Sequence, residues 1–193
     1  MAKRTGKRGR GTDQRVLRTR DRLGTALMTL IQEKPYEVVT VQNVLDRARV
    51  GRSTFYLHYR DKDDLLLSQL EMFSEVMSGM LTSRKEKSHR VMPVEEMFDH
   101  IRMAVPLYLA LKRADRLDDF FELAEGYFAR GIEQRLVESN RLPKLAQREL
   151  AACSVALAGN LLALLRWWLD RGAKETPRSM DEMFHRMVWK GLQ

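Results

Sequence analysis

The stretch that most constrains this chain is TVQNVLDRARVGRSTFYLHYRDK, residues 40 to 62. It reads as two short helices around a tight corner. Thr40 is placed to cap the first, its hydroxyl accepting from a free backbone N–H one turn in. Val41, Val44, Leu45 and Ala48 follow at i, i+3, i+4 and i+7, one apolar stripe on a helix too short to hold alone. Arg49-Val50-Gly51 makes the corner, with Gly51 free to take positive φ. In the second helix, opening at Arg52 or Ser53, Phe55 and Tyr59 point inward. Arg52, Ser53, Thr54, Tyr56, Leu57 and His58 are left on the outer face or at the helix start. Asp61 is positioned to cap the next helix, with Asp64 adding negative charge at its positive end.

An outer face of Arg, Ser, Thr, Tyr and His is unusual for plain solvated surface, which favours Glu and Lys. It suits a DNA groove: cations and hydroxyls hold phosphates, and a few side chains reach base edges. Spacing alone leaves two readings open, a helix-turn-helix and an ordinary glycine-cornered helix pair in an all-α core. The residues go further. T-V-x-x-V-L-x-R-A-x-V-G-R-S-T-F-Y-L-H-Y-R-D-K-D-D-L-L, within a match from about Thr19 to Leu70, resembles the DNA-binding signature of the tetracycline-repressor (TetR) family of bacterial transcription regulators. One departure stands out: Arg49 occupies a corner position that the family normally gives to glycine.

Composition is consistent with this. The chain has 193 residues, 44% hydrophobic and 31% charged, ordinary for a soluble globular protein. Residues 1–20 hold eight basic side chains against Asp13 alone, so +7 of the net charge of +8 lies beside the helix-turn-helix. Such a segment is a nucleic-acid footprint or a solubilising tail, and a flexible basic arm serves as both. The basic N-terminus lacks an apolar signal core, and the apolar run 150–165 falls short of the ~20 residues of a membrane span. The single cysteine, Cys153, excludes an internal disulfide and suits buried packing. A cytoplasmic protein is expected.

Along the chain, residues 1–12 carry glycines and no apolar period and are expected to form a disordered basic arm. Val16, Leu23, Ala26, Leu27, Leu30 and Ile31 predict a helix over 13–33, stopped by Pro35. It completes a helix-turn-helix domain over 13–60. Residues 61–193 continue in helices: 61–83, a polar link at 84–90, a helix from Pro93 broken at Pro106, another from Asp118 to about 140, a long one over 144–171 closed by Gly172, and an amphipathic one over 177–192. The expected fold is all-α, about nine helices, with no internal repeat.

The resemblance implies a helical effector-binding and dimerisation domain over 61–193. The Met- and aromatic-rich helices there supply candidate pocket residues: Met77, Met97, Phe98, Ile101, Tyr108, Phe121, Tyr127 and Phe128, with His100 and Arg102 as further polar contacts. Core packing is the alternative for each. Sparse charge points to an apolar or amphipathic ligand. Ala152, Ala156, Gly159 and Ala163 form a small-residue stripe which, with Trp167, Phe184 and Met187, would make the family's four-helix dimer interface; packing within one chain is the alternative.

Catalytic signatures are missing: the four histidines have no metal-ligand spacing, and no nucleophile motif or phosphate-cradling glycine loop is present. No enzyme activity, cofactor or metal is expected. The reading is a homodimeric regulator, most simply a repressor of a near-palindromic operator released by a small effector. Arg8, Arg10, Thr40, Arg52, Ser53, Thr54, Tyr56, Leu57, His58 and Lys62 are its DNA contacts. A DNA-binding protein without small-molecule input is the alternative.

Overall fold

A computed structural model of the chain describes residues 8–113, 115–139 and 146–191. Among them are nine α-helices, one short 3-10 turn and no strand, as the periodicities predict. The helices are α1 (Arg8–Glu33), α2 (Val41–Ala48), α3 (Arg52–Tyr56), α4 (Lys62–Ser83), α5 (Val94–Met103), α6 (Val105–Arg113), α7 (Leu117–Ser139), α8 (Gln147–Asp170) and α9 (Pro177–Gly191). The 3-10 turn covers Tyr36–Val38. α1 begins at Arg8, five residues before the expected start at Asp13, so part of the expected disordered arm is helical; residues 1–7 lie outside the described residues.

Prolines and small residues set the breaks. Pro35 follows the end of α1, and Ala104 (φ −106°, ψ 18°) interrupts the ladder between α5 and α6 just before Pro106. Gly172 ends α8 at φ +82°, the left-handed value that glycine takes without a Cβ penalty. α4 starts on Asp61, whose carboxylate accepts from Asp64 N–H at 2.8 Å.

α1 packs on α2, α4 and α6; α4 packs on α7, α7 on α8, and α5 on α9. One buried cluster runs from Leu23 through Phe55, Leu66, Phe98 and Trp168 to Val188. The core thus crosses the boundary expected near residue 60.

Residues 84–90, read as a polar link without core signal, do more than that. Arg90 reaches Asp181 on α9 with Nε at 3.1 Å and Nη2 at 2.9 Å, and also holds the Glu96 carboxylate. Asp181 Oδ1 accepts from Glu95 N–H (3.1 Å), Val91 N–H donates to His185 Nε2 (3.0 Å), and buried Arg135 on α7 donates to the Arg90 carbonyl (3.2 Å). Burial raises the Asp181 carboxyl, but its bond to His185 and the Arg90 charge outweigh that and hold it below its ordinary value. The next two residues, Val91 and Met92, are fully buried. The network fastens α5, α7 and α9 into one block.

Candidate nucleic-acid interface and the cavity behind it

The helix-turn-helix is stapled from several sides. Thr40 and Asn43 form a capping box at the start of α2: Asn43 N–H donates to Thr40 Oγ1 and Thr40 N–H to Asn43 Oδ1, both at 3.1 Å. The corner differs from expectation. Gly51 sits at φ −69°, and the left-handed residue is Arg49 (φ 52°, ψ 48°). The helix closes there because Arg49 N–H turns back to the Asp46 carbonyl, and Val50 N–H spans to the Leu45 carbonyl at 3.2 Å. Arg22 on α1 caps the same end, donating to the Ala48 and Arg49 carbonyls, the latter at 2.9 Å. A left-handed arginine is strained, and a cation satisfying the last carbonyls of α2 helps hold it.

α3 has only five residues, too few to persist unaided. Phe55 and Tyr59, buried as expected and 5.8 Å apart between ring centroids, anchor it; Arg20 Nε donates to Tyr59 Oη at 3.1 Å. The outer side then presents Arg52 and Ser53, both exposed, with Tyr56 51% and Leu57 80% accessible. Thr54 and His58 are half-buried at its edges, His58 beside the Tyr59 ring. Exposed Thr40 has a hydroxyl whose oxygen serves the cap and whose proton remains free to donate outward.

Sequence reasoning missed Gln42. Lying off the apolar stripe of α2, it is exposed, accepts from Arg52 Nη2 at 2.8 Å and donates to Asp46 at 2.7 Å. That off-stripe position was the available signal. The expected outward role of Lys62 is corrected. Its ammonium donates to the Tyr36 (2.8 Å) and Val39 (2.9 Å) carbonyls and lies 4.3 Å from the Tyr36 ring centroid. Because it opens α4 beneath the 3-10 turn, it ties that turn down, and Tyr36 Oη donates to Asp63 on the same helix. Burial and that hydrogen bond push the Tyr36 phenol far above its usual value. The side chains of Arg8 and Arg10 lie outside those described.

Behind this unit is a cavity of about 500 Å³ between α4, α5, α6, α7 and α8. Four of the eight expected pocket residues line it: Met77, Ile101, Tyr108 and Phe121. Met97, Phe98 and Phe128 do not; they are wholly buried core, Phe98 against Trp168 at 4.8 Å. Tyr127 also lies outside it, donating to Glu71 at 2.6 Å. Of the polar candidates, His100 lines the cavity, stacked on Phe73 at 5.1 Å, whereas Arg102 pairs with Asp99 at the surface. Tyr108 donates to Asp170 at 2.8 Å; burial and that bond push its phenol up to about 12. Met28 of α1 joins the lining, so the cavity touches the helix-turn-helix unit directly.

On the far side, α8 turns Ala152, Val155, Ala156, Ala163 and Trp167 outward, with Gly159 half-buried. By length and composition α8 would suffice to cross a membrane, more than the run 150–165 indicated, and 28% of its most apolar stretch is buried. Met187 on α9 is exposed, but Phe184, expected at the same interface, is fully buried within the chain: the apolar stripe of α9 turns inward onto α5. Cys153 is half-buried.

The fold and this site define a helix-turn-helix protein. Residues 25–68 match the sequence profile of "Bacterial regulatory proteins, tetR family". Over 60 residues the chain is 35% identical to the uncharacterized HTH-type transcriptional regulator YxbF of Bacillus subtilis (strain 168), a match spanning 31% of this chain and 16% of that relative. A TetR transcriptional regulator from Streptococcus agalactiae superposes with a TM-score of 0.54 at 26% identity, covering 92% of this chain and 97% of the other. The dihydroxyacetone kinase operon activator DhaS superposes with a TM-score of 0.68 at 14% identity over 90% and 96%, a likeness of fold. The helix-turn-helix segment, residues 25–68, is thus of the type found in the tetR family of bacterial regulatory proteins, and the chain spans about a sixth of the length of the curated relative it matches.

Proposed function

We propose that the protein is a homodimeric, cytoplasmic regulator of transcription that represses from a pseudo-palindromic operator and lets go when a small apolar or amphipathic effector binds. The observation that carries this is the exposed face of α3, with Arg52, Ser53, Tyr56 and Leu57 outward on a unit stapled by a capping box and two buried aromatics. Arg52 suits a guanine edge, where a guanidinium donates twice; Tyr56 and Thr40 suit phosphates; the basic N-terminus adds salt-dependent affinity.

The open cavity favours the ligand-responsive reading over control without a small molecule, since a self-filled core would leave no such space. α6 borders the cavity and packs on α1 and on the 3-10 turn, so an occupant has a short physical route to the reading head. The outward face of α8 supports the dimer.

Selection of DNA from a random duplex pool at near-physiological salt tests the reading. The expected product is a pseudo-palindrome whose half-sites lie about one helical turn apart, or a multiple of it. No enrichment above background overturns sequence-specific recognition. A reporter driven from the recovered site then separates repression from the activation that the name of DhaS describes for that protein.

A further inference from the structure

We propose that the cavity is built for an uncharged, largely apolar molecule carrying one hydrogen-bonding group, and that Gln69 on α4 is the residue that receives that group. This rests on reading the cavity as an effector site. Among the described residues the cavity lining contains no Asp, Glu, Lys or Arg, and its polar side chains are Gln69, His100 and Tyr108. A carboxylate or ammonium drawn inside would lose its water without gaining a counter-ion, a cost that a hydroxyl, ketone or amide largely escapes. Tyr108 has its proton committed to Asp170, and His100 stands at the exposed rim on Phe73. Gln69 is half-buried at the end nearest α1, and its amide makes a single long contact, to Ser68 Oγ at 3.4 Å. It therefore keeps both a donor and an acceptor for a guest.

The position of Gln69 also matters for the response. Its carboxamide lies flat on Gly24 of α1: a Cβ at Gly24 would fall 2.1 Å from Gln69 Oε1. Gly24 is one helical turn from Met28, which itself lines the cavity. A guest that takes hydrogen bonds from Gln69 thus competes with the seat of this amide against the reading head. Specificity and response meet in one side chain.

The test uses the full chain and three probes of equal chain length, n-decanol, decanoate and decylamine, followed by calorimetric titration and thermal shift. The expected result is that n-decanol binds at least about ten-fold more tightly than either charged probe. In Gln69→Leu, which keeps volume and removes the amide, n-decanol binding falls about five-fold, the worth of one hydrogen bond. Ala104→Phe, which fills the cavity, abolishes it, tying the signal to this site. Decanoate or decylamine binding as tightly as n-decanol overturns the ligand class while leaving the cavity an effector site. Undiminished n-decanol binding in Gln69→Leu overturns the role of that residue. No binding by any probe, nor by a broad apolar library, overturns the effector reading itself.

Discussion

Arg49 shows how a single side chain can depart from a family pattern without changing the fold. Left-handed backbone costs a non-glycine residue about 1–2 kcal/mol, and glycine returns part of that through its greater freedom when unfolded. Arg49→Gly is therefore expected to stabilise the protein by about 0.5–1 kcal/mol, raising Tm by roughly 2 °C; a lower Tm in calorimetry would show that the arginine earns its place by a contact of its own. On the reading helix, Tyr56→Phe removes one hydroxyl from an exposed ring and should weaken all DNA sequences alike, by about 1 kcal/mol. Arg52→Ala should weaken the selected operator more, by about 1–3 kcal/mol, and relax preference at one base position. Competition binding against scrambled duplexes separates the two, and unchanged operator binding in both variants would sink the assignment. The outward side of α3 was legible because Phe55 and Tyr59 declare the inward side. Lys62 was misjudged because a charged residue at a helix start looks the same whether its ammonium faces solvent or caps three carbonyls of a distant turn.

At the scale of elements, the positions of the helices were readable from prolines, glycines and apolar period, whereas their partners were not. α9 shows this: its amphipathic stripe was plain, but period does not say whether the apolar face meets α5 or another subunit, and Phe184 went inward. The cavity shows it too. Met97 and Met77 are alike in sequence and both buried, yet only Met77 borders open space. The Arg90 clasp was invisible because its partners lie in α5, α7 and α9, and it makes a pH-dependent contribution. Burial raises Asp181 and Glu96, but in each the bonds to its partners win, leaving both carboxyls below their unfolded values. A depressed carboxyl stabilises fully above its unfolded pKa, about 4. That contribution fades as pH falls through the lower folded value. Tm should thus be insensitive to this clasp between pH 7 and 5 and drop below about 4. Asp181→Asn, which leaves half-buried Arg90 with one counter-charge fewer, should cost about 2 kcal/mol at neutral pH and flatten the acid limb. Identical acid limbs in the two proteins would remove the clasp from the account.

For the whole molecule, the question is why so apolar a helix as α8 shows so little of itself to its own core. Its inner side, Leu161, Leu165 and Trp168, packs within the chain, while Val155 is 51% and Trp167 39% exposed. Alanines between them keep the outer surface low enough for another helix to approach closely, and Met187 of α9 is exposed as well. A second copy related by a two-fold axis would cover this face with its own, giving a four-helix contact. The same axis would set two α3 helices apart for successive major grooves, so in the proposed dimer association and operator reading would be one property. Ala156→Glu separates them. Ala156 is exposed in the single chain, so the variant should fold with an almost unchanged circular-dichroism spectrum. In the dimer, however, two carboxylates would face each other across the axis without counter-ions, and light scattering should report a monomer at micromolar concentration. Operator affinity should then fall by about 10²–10⁴, because the second head no longer binds at the high effective concentration its partner provides, while the weak salt-dependent attraction to random DNA persists. A variant that stays dimeric places the interface elsewhere. A monomer that keeps full operator affinity breaks the link between the α8 face and DNA reading.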